Sequence, residues 1–440
     1  MNLKDSDIRN VFRTLSYRNF RLFFAGQLVS LTGTWMQMIA MGWLVYRLTD
    51  SVFLLGLVGF ASQIPAFFLS PFTGVLSDRW NRHRTLIATQ TLSMIQALIL
   101  AVLTLTGTVA IWHIIILGIF LGCVNALDVP SRQSFLVEMV EKKENLANAI
   151  ALNSLMFNAA RLIGPSLAGI VVAIIGEGPC FLLNAVSFLA VIASLRAMKV
   201  NPPHAAGKEH PHILIGLKEG FSYAFGSFPI RLILFLLGVA SLMGTSYVVL
   251  MPVFARDILK GGPEIFGFLM ASSGVGALAA TLYLASRRSV VGLGRNIPLY
   301  LSIFAVALML FALSHTFWFS LVLLVFIGFG VMAHMAASNT ILQTIVDDDK
   351  RGRVMSLYAM SFMGMAPLGS LLAGILANKI GVTSTLFLGG ACCILGSIFF
   401  ASKLPVLKMH IHPIYRKIGV IQEVASGMNA ATSVTVPPEE

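Results

Sequence analysis

The sequence predicts an all-α polytopic membrane protein with twelve transmembrane helices arranged as two pseudo-symmetric six-helix bundles. Of its 440 residues, 57% are apolar and only 11% are charged, which is too little charge to cover the surface of a soluble protein of this length. Apolar runs of about 18 or more residues recur along nearly the whole chain, and each is long enough to cross a bilayer. The third observation is an internal repeat that relates the two halves.

The first bundle is expected within residues 19–197, after an N-terminal segment of residues 1–18 that lacks the apolar core of a signal peptide. Residues 198–228 are polar and rich in proline and histidine, which predicts a linker loop. The second bundle is expected within residues 229–403, and residues 404–440 form a tail, partly disordered. The twelve spans are predicted at roughly 19–47, 52–77, 84–106, 110–131, 147–175, 179–197, 229–254, 264–286, 295–314, 317–343, 353–378 and 383–402.

Lysine and arginine are distributed unevenly between the two ends of the predicted helices. Twelve spans place both termini on one side, and about 26 of the 31 basic residues then fall on that side, with about four on the other and one inside a span. This excess indicates that both termini are cytoplasmic. The net charge of +12 is therefore explained by topology and by attraction to anionic lipid, not by nucleic-acid binding.

The internal repeat aligns GPSLAGIVVAIIG, which begins at Gly164, with GSLLAGILANKIG, which begins at Gly369. The two stretches lie in the fifth and eleventh spans, and parallel halves of this kind are typical of transporters. Small residues let helices approach closely, so a shared glycine pattern could also arise by chance from packing. The residues expected to pack helices against one another are Gly164, Pro165, Gly169, Gly369 and Gly374.

The loop between spans two and three, GVLSDRWNRHRTL, concentrates charge within a short turn. Asp78 follows Gly74 by four residues and so shares its helical face, while Arg79 and Arg82 crowd the turn. A carboxylate beside guanidinium groups can form contacts that break and re-form as two bundles rock, which predicts a cytoplasmic gate. The alternative is ordinary loop charge that only sets topology.

This loop resembles the major facilitator superfamily signature G-x-L-a-D-R-x-G-R-K. The positions that match are Gly74, Leu76, Asp78, Arg79 and Arg82, and the positions that depart are Asn81 and His83. GPSLAG in span five is similar to the G-P-x-x-G-G element of antiporter members. DVPSRQSFLVEMV, NLANAIALNSLMFNAARLIGP, FLLNAVSFL, LQTIVDDDKRGRVMSL and PIYRKIG resemble the bacterial drug:proton antiporter and siderophore (enterobactin-type) exporter branch.

The resemblance implies a monomeric transporter of the bacterial inner membrane that works by alternating access. It implies proton-coupled export of an amphiphilic small molecule, a drug or a siderophore. Two departures weigh against carrying over the proton coupling: span four lacks the arginine found in other drug antiporters, and span one has no carboxylate. Uptake by the same fold, and a non-transporting receptor or scaffold, stay open as alternatives.

Arg161 lies near the centre of span five, where an isolated charge costs at least about 2.5–3.5 kcal/mol. Its side chain is therefore expected to face the bundle interior or a wet cavity. Asn158 and Asn153 precede it and could share a polar stripe with it. The stripe predicts either a site for an anionic or hydrogen-bonding solute or a tie to a neighbouring helix. The repeat places Ala366 at the equivalent position of the second half.

Few acids are available to carry a proton. Asp128 is expected near the cytoplasmic end of span four, where Pro130 would break the helix just beyond it. Three roles remain open for it: a helix-end carboxylate, a gate partner of Arg79 or Arg82, or a proton carrier. The uncharged or switchable polar residues expected to line the cavity are Gln37, His334 and Asn339.

Several function classes lack support in the sequence. Four cysteines lie inside apolar segments without a C-x-x-C pair or metal-ligand spacing. The phosphate-binding pattern G-x-x-x-x-G-K-[ST] is absent, and no clear nucleophile–base pair stands at membrane depth. We therefore expect no metal, no cofactor and no enzyme activity, and transport driven by an ion gradient rather than by bound nucleotide.

Overall fold

The computed structural model describes residues 13–140, 145–199, 221–287, 290 and 292–417. Within them, twelve helices are long and apolar enough to cross a membrane, and no strand occurs. Lipid offers no hydrogen-bond partner to the backbone, so a spanning segment must satisfy its own backbone as a helix. The predicted all-α polytopic class is confirmed.

Six spanning helices form the first half, after a short 3₁₀ helix at Arg13–Ser16. They are α1 Arg18–Thr49, α2 Val52–Arg79, α3 Arg82–Leu105, α4 Ile111–Glu138, α5 Leu146–Ile175 and α6 Glu177–Ala197. Their connections are short, so consecutive helices run antiparallel. Since α1 begins and α6 ends at the same side, that side is called the terminal face, and the opposite side is called the far face.

Six further spanning helices form the second half, two of them interrupted by π-helical turns. Helix α7 comprises Phe228–Val239, a π turn at Ala240–Gly244, Tyr247–Val253 and a second π turn at Phe254–Ile258. Helix α11 comprises Asp348–Ala359, a π turn at Met360–Gly364 and Met365–Ile380. The others are α8 Pro263–Ala285, α9 Leu293–Ala312, α10 Phe317–Ile345 and α12 Val382–Ser402.

The two halves use the same helix pairings. In the first half α1 packs against α5 and α6, α2 against α4, and α3 against α4 and α6. In the second half α7 packs against α11 and α12, α8 against α10, and α9 against α10 and α12. Each pairing recurs six helices later, so the predicted pseudo-symmetric bundles are confirmed. Between the bundles, α2 packs against α11 and α5 packs against α8.

Helix α4 does not end near Pro130, which was the sequence expectation. It runs on to Glu138 with Pro130 inside it. Proline removes only one backbone donor, and surrounding helices let a membrane helix absorb such a defect. Asp128 therefore lies ten residues, about 15 Å, before the end of α4 rather than at it.

A thirteenth helix, α13 at Leu404–Lys417, occupies the first part of the segment assigned to the tail. Leu407 and Ile411 are buried, one turn apart on one face of the helix. The helix packs against α7, α10 and α12, so it lies on the second bundle at the terminal face. The rest of the tail, and residues 200–220 of the linker, fall outside the described residues.

Candidate functional site

Arg161 lies on α5 at mid-depth and is partly buried. Its guanidinium carbon stands 5.7 Å from the centre of the Trp35 ring on α1. Trp35 in turn meets Phe157 edge-to-face, with ring centres 6.0 Å apart. Gly164 permits this arrangement, because a Cβ there would lie 2.5 Å from the Cβ of Trp35. The first bundle thus presents a cation framed by aromatic surface.

The second bundle closes the same region from α7 and α8. Tyr247 is buried on α7 within electrostatic reach of Arg161. Its hydroxyl lies 2.9 Å from the Ser273 hydroxyl on α8. On the same helix, a Cβ at Gly274 would lie 3.3 Å from the Arg161 carbonyl oxygen. Arg161 therefore stands where α1, α5, α7 and α8 meet, at the junction of the two bundles.

Arg161 has no acidic partner among the described side chains. The ion pairs found there join Arg47 to Glu177, Arg82 to Glu138, Arg132 to Asp128 and Arg256 to Asp50. Contact with an aromatic face offsets about 0.5–2 kcal/mol of the cost of a charge, which is less than the cost of placing it at mid-depth. The part of this cost that the aromatic contact does not offset favours a negatively charged solute or water beside the guanidinium.

Asn158 adds a second unsatisfied group to α5. It is 4% exposed and lies three residues before Arg161, on the same face of the helix. Its Nδ2 donates to the Ser154 carbonyl oxygen at 2.8 Å, while its buried Oδ1 has no hydrogen-bond partner among the described residues. Asn153, predicted for the same stripe, is partly buried five residues before Asn158, toward the terminal face.

Three other residues were predicted to line the cavity. Gln37 is inside the first bundle, where its Nε2 donates to Gln96 at 3.0 Å and its Oε1 accepts from Asn184 at 2.8 Å. His334 is fully buried on α10 in the second bundle. Asn339, also on α10, accepts a hydrogen bond from Gln343 at 2.7 Å. The polarity of these residues predicted that they face away from lipid. It could not predict whether each faces the cavity or the inside of its own bundle, because that depends on the rotation of the helix.

The predicted gate residues lie at the end of α2 and the start of α3. Gly74, Asp78 and Arg79 belong to α2 by their backbone, and their side chains fall outside the described part of the structure. Arg82 pairs with Glu138 at the end of α4. Glu138 was not predicted from the sequence, because span four was expected to end near residue 131.

Asp128 is buried inside the first bundle rather than at the terminal face. Its Oδ1 accepts from the Thr89 hydroxyl and from Gln90 Nε2, both at 2.8 Å. Its Oδ2 lies 3.5 Å from a guanidinium nitrogen of Arg132, one turn further along α4. The helix-end role is therefore wrong for Asp128, because α4 continues ten residues beyond it.

Comparison with known proteins agrees with this architecture. The family model described as "Transmembrane secretion effector" matches residues 10–420. The chain belongs to that family. It is a major facilitator superfamily transporter, as the loop signature implied.

Relatives of the transporter include proteins named for siderophores. The chain is 29% identical to the "Staphyloferrin A transporter" of Staphylococcus aureus over 397 residues, which cover 88% of this chain and 98% of the relative. It is 26% identical to the "Enterobactin exporter EntS" of Shigella boydii, with coverage of 89% and 94%. A solved bacterial homologue of the iron transporter ferroportin superposes with a TM-score of 0.68 at 16% identity, covering 88% of this chain and 98% of that one, and shows the shared fold.

The far face of the transporter carries a charged connection between the bundles, here called the far-face latch: Tyr46 and Asp50 at the end of α1 and Arg256 and Asp257 at the end of α7. Arg256 donates to Asp50 at 2.6 Å and lies 5.3 Å from the centre of the Tyr46 ring. The Tyr46 hydroxyl donates to Asp257. The far-face latch was not predicted from the sequence, because its partners are about 200 residues apart.

The first glycine of each repeat allows two helices of the same bundle to pack closely. A Cβ at Gly164 would meet Trp35 of α1, as described above. A Cβ at Gly369 of α11 would lie 2.5 Å from the Leu242 carbonyl oxygen of α7. Since α7 is the equivalent of α1, the first glycine of each repeat serves the same contact in both halves.

The second glycine of each repeat serves a contact between the bundles. A Cβ at Gly267 of α8 would lie 2.9 Å from the Cα of Gly169 on α5 and 2.5 Å from the Pro165 carbonyl oxygen. A Cβ at Gly374 of α11 would lie 2.9 Å from the Cα of Gly56 on α2. Both seams lie toward the far face, where these helices approach nearly backbone to backbone.

Proposed function

We propose that this transporter exports an anionic amphiphile of the siderophore class by alternating access, driven by protons that move the opposite way. The observation that carries the proposal is the Arg161 guanidinium at the bundle junction, which lies over Trp35 and has no acidic partner among the described residues. Siderophores hold iron(III) through anionic oxygen atoms, which is chemistry that a guanidinium recognises.

The siderophore names of two relatives support this solute class. The second relative is named as an exporter, which supports the outward direction. The terminal face is proposed to be cytoplasmic because of its excess of lysine and arginine, and the membrane to be the inner membrane of a bacterium. The proposed partners are the solute, protons and bilayer lipid, with no nucleic acid, and the working unit is a monomer with no enzyme activity.

The site would bind the solute with different affinity in two states of the transporter, one with the far face closed and one with it open. In the described state the bundles meet between mid-depth and the far face, with the far-face latch and both glycine seams formed. A solute that binds Arg161 from the terminal face would then be released once the far-face contacts open. The anion would lower the cost of the mid-depth charge, so the loaded transporter would cross between states more readily than one without solute.

A counterflow experiment tests the proposal. Purified transporter in proteoliposomes preloaded with unlabelled enterobactin or staphyloferrin A should accumulate the labelled compound, whereas the lipophilic cation tetraphenylphosphonium should not be exchanged. Arg161→Ala should reduce the exchange at least tenfold, and Arg161→Lys should retain part of it because the charge remains. The matched control is Arg231→Ala, which removes a comparable arginine–aromatic contact with Phe228 at the terminal end of α7 and should exchange like the wild type.

Two outcomes would contradict the proposal. Wild-type exchange in Arg161→Ala would show that the cation does not bind the solute. Exchange of the cation but of neither siderophore would reverse the charge preference. Direction is tested separately in inside-out vesicles, where an acidic lumen should drive accumulation of the exported compound, and loss from the lumen would indicate uptake in the cell.

A further inference from the structure

Asp128 forms a buried charge cluster that the solute site does not use. The carboxylate is 4% exposed and lies on α4 at mid-bundle depth. Its neighbours come from three helices: Arg132 on α4, Thr89 and Gln90 on α3, and Gln27 on α1. A buried carboxylate is costly unless it is paired, so such a cluster in a membrane bundle is a candidate for function.

The two oxygens of Asp128 have unequal surroundings. Oδ1 accepts two hydrogen bonds of 2.8 Å, from Thr89 and Gln90. Among the described residues, Oδ2 has one polar contact, of 3.5 Å with Arg132, which is longer than a charge-assisted hydrogen bond of about 2.7–2.9 Å. Oδ1 is therefore held in place, while Oδ2 can take up a proton without breaking a short hydrogen bond.

Arg132 links this carboxylate to α1. Its side chain is 21% exposed, and one of its nitrogens donates to Gln27 Oε1 at 3.4 Å. Gln27 is buried, and its Nε2 has no partner among the described residues. Both of these contacts of Arg132 with described residues are long, so the loss of the negative charge on Asp128 would release its guanidinium toward the terminal face.

Among the described side chains of α1, α3 and α4, one charged group, Arg132, contacts Asp128. Arg132 is the charged group that faces it from its own helix, while α3 and α1 contribute neutral groups, including Ser30, which donates to Gln90 at 3.4 Å. His83 on α3 contacts the Leu195 carbonyl oxygen instead, at 2.7 Å. The pair of Arg82 and Glu138 lies about 15 Å further along α4.

We propose that Asp128 is the proton-binding residue that couples the proton gradient to solute movement, an inference that rests on the proposed proton-driven export. When ionised, Asp128 holds Arg132 and through it Gln27 of α1. A proton from water that binds Oδ2 neutralises the carboxylate and frees Arg132, so α1 loses this tie to α4. Gln27 lies eight residues, about 12 Å, from Trp35 on α1, and Trp35 covers Arg161. Proton binding is thereby communicated to the solute site through one rigid helix.

Three variants of the full-length transporter test this role. The assay uses proteoliposomes with enterobactin or staphyloferrin A as probe. Asp128→Asn should retain counterflow, but the stimulation of transport by a pH gradient should be at least tenfold smaller than in the wild type. Asp128→Glu keeps a titratable carboxyl and should retain measurable stimulation. The matched control is Glu177→Gln, a buried acid paired with Arg47 near the far face, which should retain full stimulation.

A purely structural role predicts a different result. Asparagine would leave Arg132 without its carboxylate partner, so Asp128→Asn would then lose counterflow together with the stimulation. Equal stimulation of Asp128→Asn and wild type would overturn the proposal. So would loss of counterflow and stimulation together in Asp128→Asn when the protein is folded and inserted.

An infrared titration of the purified protein gives a second readout that needs no solute. On acidification the wild type should develop a band from a protonated buried carboxyl, and Asp128→Asn should lack that component while Glu177→Gln keeps it. An unchanged band in Asp128→Asn would overturn the proposal. If the wild type exchanges neither siderophore, the proposed function fails on its own, and the titration still decides whether Asp128 binds the proton.

Discussion

The seam between α2 and α11 offers a direct test of how the far face is closed. In Gly56→Ala, the new Cβ would lie 2.6 Å from the Ser370 carbonyl oxygen and 2.8 Å from the Cα of Gly374. Comfortable contact between carbon atoms needs about 3.5–4.0 Å, so the two backbones would have to separate locally by roughly 1 Å. Both obstructing atoms belong to the backbone, so no side-chain rotation can relieve the contact.

The magnitude follows from the general cost of overpacking, about 1–3 kcal/mol. This penalty applies only while the seam is formed, so it should shift the balance toward far-face-open molecules by roughly 5- to 150-fold. The gain of about 0.5–1 kcal/mol from replacing a helical glycine by alanine is the same in both states and cancels. Gly56→Ala should therefore change the conformational balance more than the overall stability.

Spin-label distances across the seam measure the shift. Labels at Phe53 of α2 and Ile380 of α11, both exposed, should show a longer-distance population in Gly56→Ala that is minor in the parent. The control is Gly238→Ala on α7, where an added Cβ meets nothing within 4 Å and the distances should not change. A Gly56→Ala distribution that matches the parent would refute the view that this close approach closes the far face.

Two further predictions concern the latch and the gate. Arg256→Ala should shift the same label distances in the same direction but less, because an exposed ion pair contributes about 0.2–1 kcal/mol and an exposed cation–π contact about 0.5–1 kcal/mol; a shift larger than that of Gly56→Ala would contradict this ranking. Asp78→Asn should slow transport turnover severalfold with little change in the apparent affinity for the solute, measured as initial rates over a range of solute concentrations, and a large loss of affinity at normal turnover would argue against a gating role.

The fold was predictable because its determinants are local in the sequence. A long apolar run identifies each span. The repeated stretches that begin at Gly164 and Gly369 indicated from the sequence alone that the two halves are duplicated. Pro130 misled the prediction of the end of α4, since the rule that proline ends helices comes from helices in water. Inside a bundle, neighbouring helices can supply hydrogen-bond partners to the backbone groups that proline leaves free.

The site was only partly predictable because helix rotation and helix pairing are not local. Arg161 and Asn158 were predicted as candidates, because a charge and an amide are unusual in an apolar run. Gln37 has the same polarity but faces Gln96 and Asn184 within its own bundle. Trp35, which frames Arg161, is an ordinary aromatic residue in the sequence, and only the packing of α1 on α5 reveals its place.

The charge of Arg161 has an electrical consequence. In a transporter without solute it lies at mid-depth with no acidic partner among the described side chains, and moving one elementary charge across the full membrane potential changes the energy by about 2.3 kcal/mol per 100 mV. A bound monoanion cancels that charge, so the loaded step is nearly insensitive to voltage. The resting potential then acts mainly on the return step, in which the proposed proton on Asp128 adds a further positive charge, and solutes with two or more negative charges would make the loaded step electrogenic instead.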